Sequence, residues 1–146
     1  MTLQNSLIGD CLQYWKIVAG HKERDPDETK SLLLGDWLRH NYVAIGWERN
    51  SPQGKDFMRK MEIGDQVVVV TDGYVWALGT IEDEMNEVDL SKNSHLYPNQ
   101  RRVTWSRIAK AEYKSFPRFL YNKLKHPKAL SRLNHEDWET LLTCIL

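Results

Sequence analysis

Five aromatic residues stand at or near the ends of apolar runs: Trp15, Trp47, Trp76, Tyr97 and Trp105. An aromatic in the middle of a strand fills a core. One at a strand end can line the mouth of a small barrel and sandwich a planar group, because an aromatic face stacks on any nucleobase for roughly 1–3 kcal/mol. The chain holds six tryptophans and six tyrosines in 146 residues. Tryptophan is also the largest core hydrophobe, so only about two or three of these rings are expected at a site. Trp37 shares a helical face with Leu33, Leu34 and Leu38 and is assigned to the core.

Charge supplies the second chemical signal. The net charge is zero, from 20 basic and 20 acidic side chains, yet this is a cancellation. Residues 1–90 carry nine basic and sixteen acidic residues, and residues 91–146 carry eleven and four. From Lys92 to Arg132 only Glu112 opposes the eleven cations. Such asymmetry suits a polyanion-facing surface, and equally a solvated basic face.

Signatures of catalysis are missing. There is no phosphate-binding Gly-x-x-x-x-Gly-Lys loop, no nucleophile elbow and no dinucleotide fingerprint. The five histidines are scattered, and Cys11 and Cys144 are too far apart for a metal spacing. No catalytic residue, metal or cofactor is assigned, and the chain is expected not to be an enzyme. Two distant cysteines, no secretory leader pattern and no apolar run near 20 residues lead us to expect a soluble, cytoplasmic protein with no membrane partner.

The elements that must carry these residues follow from pattern. Strands are expected over 13–19, 42–47, 67–70, 74–81 and 101–105, with 108–113 extending the sheet. A helix is expected over 28–40, a helical turn over 57–61, and helices over 116–124 and 136–146. Four consecutive valines, Val67 to Val70, suit a strand buried on both faces. Asp72-Gly73 is a hairpin signal. The order of elements predicts one α+β domain spanning 1–146. It comprises a lead-in over 1–12, a small twisted β-barrel of five to six strands over 13–113, and C-terminal helices over 114–146.

The ordered set Tyr14-Trp15-Lys16-Ile17, Val43-Ala44-Ile45-Gly46-Trp47, Ile63-Gly64-Asp65-Gln66-Val67-Val68-Val69, Ala77-Leu78-Gly79-Thr80-Ile81 and Tyr97-Pro98…Arg102-Val103-Thr104-Trp105 resembles an EVE domain. EVE domains belong to the PUA-like superfamily, which includes the YTH domains. The flavour is similar to EVE-like domains attached to McrB-type modification-dependent restriction systems. The resemblance covers roughly residues 13–105, and the tail over 116–142 is similar too.

The resemblance implies a reader of modified bases, which flips a base or takes it from a single strand into an aromatic cage. Unstacking costs a few kcal/mol, which stacking and edge hydrogen bonds must offset. By the same resemblance Trp47 is a cage tryptophan, Tyr97 its second wall, and Gly20 and His21 polar contacts after the first strand. Thr71 and Asp72 border the mouth, with Asp72 accepting from an exocyclic amine; Trp15 fits either the pocket or the core. Arg101, Arg102, Lys92, Arg107 and Lys110 are the expected phosphate contacts, with Lys114 and Arg118 beyond them. The expected partner is modified DNA, together with a fused or separately encoded nuclease or nucleotide hydrolase. An RNA-binding module, or a small-molecule or protein-interaction domain reusing the pocket, remain the alternatives.

Overall fold

The computed structural model describes residues 12–19, 27–45, 54, 56–84, 86–87 and 99–145. Trp47, Tyr97, Gly20, His21 and Lys92 lie outside these residues.

Strand β1 (Tyr14–Val18) leads to helix α1 (Asp27–His40) and strand β2 (Tyr42–Ile45). A π-helical turn (Asp56–Lys60) precedes β3 (Gln66–Thr71) and β4 (Tyr74–Ile81). The two-residue β5 (Asn86–Glu87) and the 14-residue β6 (Asn99–Glu112) follow. A 3-10 turn (Tyr113–Ser115), α2 (Arg118–Lys125), β7 (Leu130–Leu133) and α3 (His135–Ile145) complete the described chain.

The strands form one sheet in the order β2-β6-β4-β3-β1-β7, with β5 also on β6. It is a curled half-barrel of α+β type. Only β1 and β3 pair in parallel; every other described pair is antiparallel. The expected segments 101–105 and 108–113 are one continuous strand, β6. Its register against β4 shifts twice, between Val75 and Ala77 and between Leu78 and Gly79. Bulges of this kind bend a long strand and increase its twist. Strand β7 was not expected from pattern, because Leu130–Leu133 is too short for periodicity to mark it.

The valine run behaves as its composition requires. Val67 and Val69 pack with Trp15, Ile17, Leu34, Trp37 and Val103 on one face. Val68 and Val70 pack with Leu120, Leu124, Trp138 and Leu141 on the other. The sheet is thus covered by α1 on one side and by α2 and α3 on the other. An ion pair between the half-exposed Lys123 and the buried Asp137, Nζ to Oδ2 at 2.6 Å, ties α2 to α3.

Two residues with positive φ set the turns that shape the site. Asp72 (φ 53°) and Gly73 (φ 85°) make the two central positions of the β3–β4 hairpin, the combination a type I′ turn needs. Asn41 (φ 62°) ends α1 in the left-handed conformation, a common helix stop. Its carbonyl accepts from the Val103 N–H at 2.9 Å, which attaches the end of α1 to β6.

Candidate functional site

Alternation along β6 sorts its polar residues. Asn99, Arg101 and Val103 are buried, while Arg102 and Thr104 are exposed. Arg101 therefore points inward, only 1% exposed. Its Nη1 donates to the carbonyl oxygens of Phe57, at 2.8 Å, and Met61, and its Nε and Nη2 donate to that of Asp83, at 2.9 and 2.6 Å. Burial pushes its pKa down, opposed by the charges of Asp83, Asp65 and Glu84. This corrects the expectation for Arg101: it is an internal clamp, with its donors committed to backbone, and is not presented to a phosphate. A sum over sequence cannot tell it from Arg102, because a one-residue step along a strand reverses the side chain.

Trp15 is corrected in the same way. It is 2% exposed, packed in the core, and its Nε1 donates to Asp65 Oδ2 at 3.0 Å. Asp65 also accepts from the Glu62 N–H at 2.8 Å and from Gln13 Nε2 at 3.0 Å. Trp37, assigned to the core, is fully buried.

Thr71 and Asp72 lie at the β3–β4 hairpin. Thr71 is buried, and its carbonyl accepts from Trp76 Nε1 at 3.0 Å. Asp72 is exposed in the turn. Strand direction separates this turn from the exit of β2. β6, β3 and β1 run one way and β2 the other, so Ile45 stands at the end where β1 and β3 begin. Thr71 stands at the end where they finish. The tertiary structure instead groups Thr71 and Asp72 with Tyr74, Trp76 and Lys110. Lys110 Nζ sits 4.4 Å from the Tyr74 ring centre and 4.8 Å from that of Trp76. The two rings are 5.9 Å apart and inclined by 57°. This cluster was not foreseen as a site, although Trp76 stood among the strand-end aromatics. The missing signal was register: no local pattern says that Lys110 lies across from Trp76.

The exit of β2 has its own geometry. Ile45 pairs with Asn99 on β6. Trp47 is two residues after Ile45 and Tyr97 two residues before Asn99. Trp47 and Tyr97 themselves lie outside the described residues. Glu87 of β5 pairs with the same Asn99.

An open groove of about 600 Å³ runs along β6 at the end of α1, lined by His40, Asn41, Arg102, Thr104, Trp105 and Ile108, with Val103 behind them. Polar contacts hold two of its lining residues, Trp105 and His40. Trp105 Nε1 donates to the Trp37 carbonyl at 3.3 Å. The Tyr42 hydroxyl donates to Asp36, and Asp36 also meets His40 at 3.6 Å. Burial, then the bond to Asp36 and its charge, pushes the Tyr42 phenol well above its ordinary range. Arg102 is exposed and pairs across the sheet with Tyr42. Arg107 and Lys110 are exposed further along the strand. Among the described residues, no three His, Cys, Asp or Glu side chains gather as a metal site would require.

No protein-family model matches the chain, and no curated protein matches it. Solved structures do. The YTH domain of Zygosaccharomyces rouxii MRB1, in complex with N6-methyladenosine RNA, is similar at TM-score 0.60 and 13% identity, covering 90% of this chain and 85% of that one. Human THYN1, in complex with DNA containing 5-methylcytosine, is similar at TM-score 0.53 and 14% identity, covering 90% and 96%. Rpa0253 of Rhodopseudomonas palustris is similar at TM-score 0.52 and 14% identity, covering 91% of each chain. The chain therefore has the fold of YTH domains and of THYN1.

Proposed function

We propose that this chain is a non-catalytic reader domain of the EVE type, within the PUA-like superfamily, that binds nucleic acid carrying a methylated base. The base is held between Trp47 and Tyr97. The observation that carries this reading is the Ile45–Asn99 rung, two residues in sequence from Trp47 and from Tyr97. The shared fold supports it, since two proteins of that fold are bound to nucleic acids with methylated bases. So does the concentration of cations after Lys92.

DNA is the favoured strand, and the domain serves as the targeting part of a cytoplasmic restriction or defence system. A nuclease or nucleotide hydrolase, fused or separately encoded, would supply the effector step. These finer points rest on the sequence resemblance to restriction-associated EVE domains.

The test is a titration of matched DNA and RNA oligonucleotides, single-stranded and duplex, with and without N6-methyladenine or 5-methylcytosine. One modified form is expected to bind at least about tenfold tighter than its unmodified match, a difference of about 1.4 kcal/mol. Trp47→Ala is expected to abolish that ratio. Equal, weak binding of every form would overturn the reading, and unchanged discrimination in Trp47→Ala would remove the assigned cage.

A further inference from the structure

The exposed face of β6 continues beyond the groove. Arg102, Trp105 and Ile108 share the groove lining. Ile108 is 58% exposed, a large apolar side chain left in water. Lys110 follows on the same strand, past the register shift opposite Val75 and Ala77. Its ammonium lies over Tyr74 and Trp76 on the neighbouring strand. Aromatic, aliphatic, cation and aromatic pair thus follow one another along a strip, with Arg102 at the groove end from the other face of the strand. From Arg102 to Lys110 the strand covers about 25 Å at the usual rise, room for several nucleotides.

We propose that this strip is a track for single-stranded nucleic acid, separate from the modified-base pocket and indifferent to modification. It rests on the reading of this chain as a nucleic-acid binder. Arg102 and Lys110 would hold phosphates near the two ends. Trp105 with Ile108, and Trp76 with Tyr74, would take base faces between and beyond them. The ammonium of Lys110 covers both rings in the free protein, and a phosphate that draws it outward uncovers a face for stacking. A rigid duplex keeps its base faces inside its own stack and cannot use such rings, so the strip selects unpaired strands. Of the acidic groups beside it, Asp36 is engaged by Tyr42 and His40, while Asp72 and Glu112 stand at the Lys110 end.

The experiment measures affinity of the whole chain for an unmodified DNA 12-mer, single-stranded and as a blunt duplex, over a salt series. The single strand is expected to bind at least about fivefold tighter. Ile108→Glu, which places an anion on the strip at an exposed position, is expected to weaken single-strand binding at least about tenfold. Trp76→Leu is expected to weaken it about fivefold or more, and Lys110→Gln to reduce the salt slope by about 0.7. Thermal melting confirms that each variant is folded. The ratio between modified and unmodified DNA is expected to stay at the wild-type value in all three variants, whereas Trp47→Ala changes only that ratio. The two ideas therefore fail separately. No measurable binding of the unmodified strand, equal binding of strand and duplex, or wild-type affinity in Ile108→Glu would overturn the track.

Discussion

The guanidinium of Arg101 donates to the carbonyl oxygen of Phe57 at 2.8 Å. That bond joins the middle of the sheet to the π-helical turn 56–60, and companion bonds to Met61 and Asp83 make Arg101 the crossing point of three segments. The Asp83 carboxylate in turn accepts from the Arg102 N–H at 2.7 Å, so the inner and outer arginines share one loop. They nonetheless do different work.

Arg101→Met keeps much of the apolar stem and removes every donor. The carbonyls of Phe57, Met61 and Asp83 would then lose a charged partner, and hydrogen bonds to a charged group contribute about 1.5–3 kcal/mol. We expect a loss of about 3 kcal/mol or more, read from the urea midpoint. Arg102→Gln, at an exposed position, should stay within about 0.5 kcal/mol of wild type. Equal stability losses in the two variants would contradict the assignment.

Lys16 predicts a pH effect. Its side chain is fully buried, and its Nζ donates to the His126 carbonyl at 2.5 Å, at the C-terminal end of α2. Burial, and then the charge of Lys128, lowers its pKa to about 8. Because the folded state disfavours the charged form, the cost is complete below pH 8. It shrinks as pH rises towards the unfolded-state value near 10.5. Lys16→Met should remove this term. The stability gap between variant and wild type is expected to be of order 3 kcal/mol at pH 7 and to narrow steadily between pH 8 and 10. A constant gap across that range would rule the term out.

Gly79 predicts a packing effect. A Cβ there would meet Val103 Cγ1 at 2.3 Å, Trp105 Cε3 at 2.8 Å and the Thr104 carbonyl oxygen at 3.0 Å. The last is backbone and cannot rotate away. Gly79→Ala should therefore overpack the β4–β6 seam and cost about 1–3 kcal/mol. It should also move Trp105, observable as a change in near-ultraviolet circular dichroism. A neutral or stabilising result would mean that the seam yields.

Asp65 predicts the strength of the first corner. It is buried and accepts from Trp15, Glu62 and Gln13, so β1, the turn before β3 and β3 itself meet at one carboxylate. Asp65→Ala strands the Trp15 indole N–H in the core. A loss of about 2–4 kcal/mol is expected from one lost charged acceptor and the donors left behind. Wild-type thermal stability in the variant would show that water replaces the carboxylate.

Much of the architecture was written in local pattern. Val67 to Val70, Asp72-Gly73 and the Leu33, Leu34, Trp37, Leu38 stripe each imply their element, because periodicity and turn chemistry act over a few residues. The helical turn at 56–60 and the terminal helices are local in the same sense, whereas β7 and the continuity of β6 depend on partners distant in sequence.

Composition and order by themselves determined the α+β content, the buried central strand and the polarity of charge along the chain. Which basic residues face water was settled only by register. A strand reverses direction with every residue, and the bulges in β6 shift the count again, so Arg101 turned inward while Arg102 and Lys110 remained outside. The same non-local pairing set Ile45 opposite Asn99 and carried Lys110 to Tyr74 and Trp76. Those distances are closed by the sheet, through hydrogen bonds between segments tens of residues apart, and no window of sequence contains them.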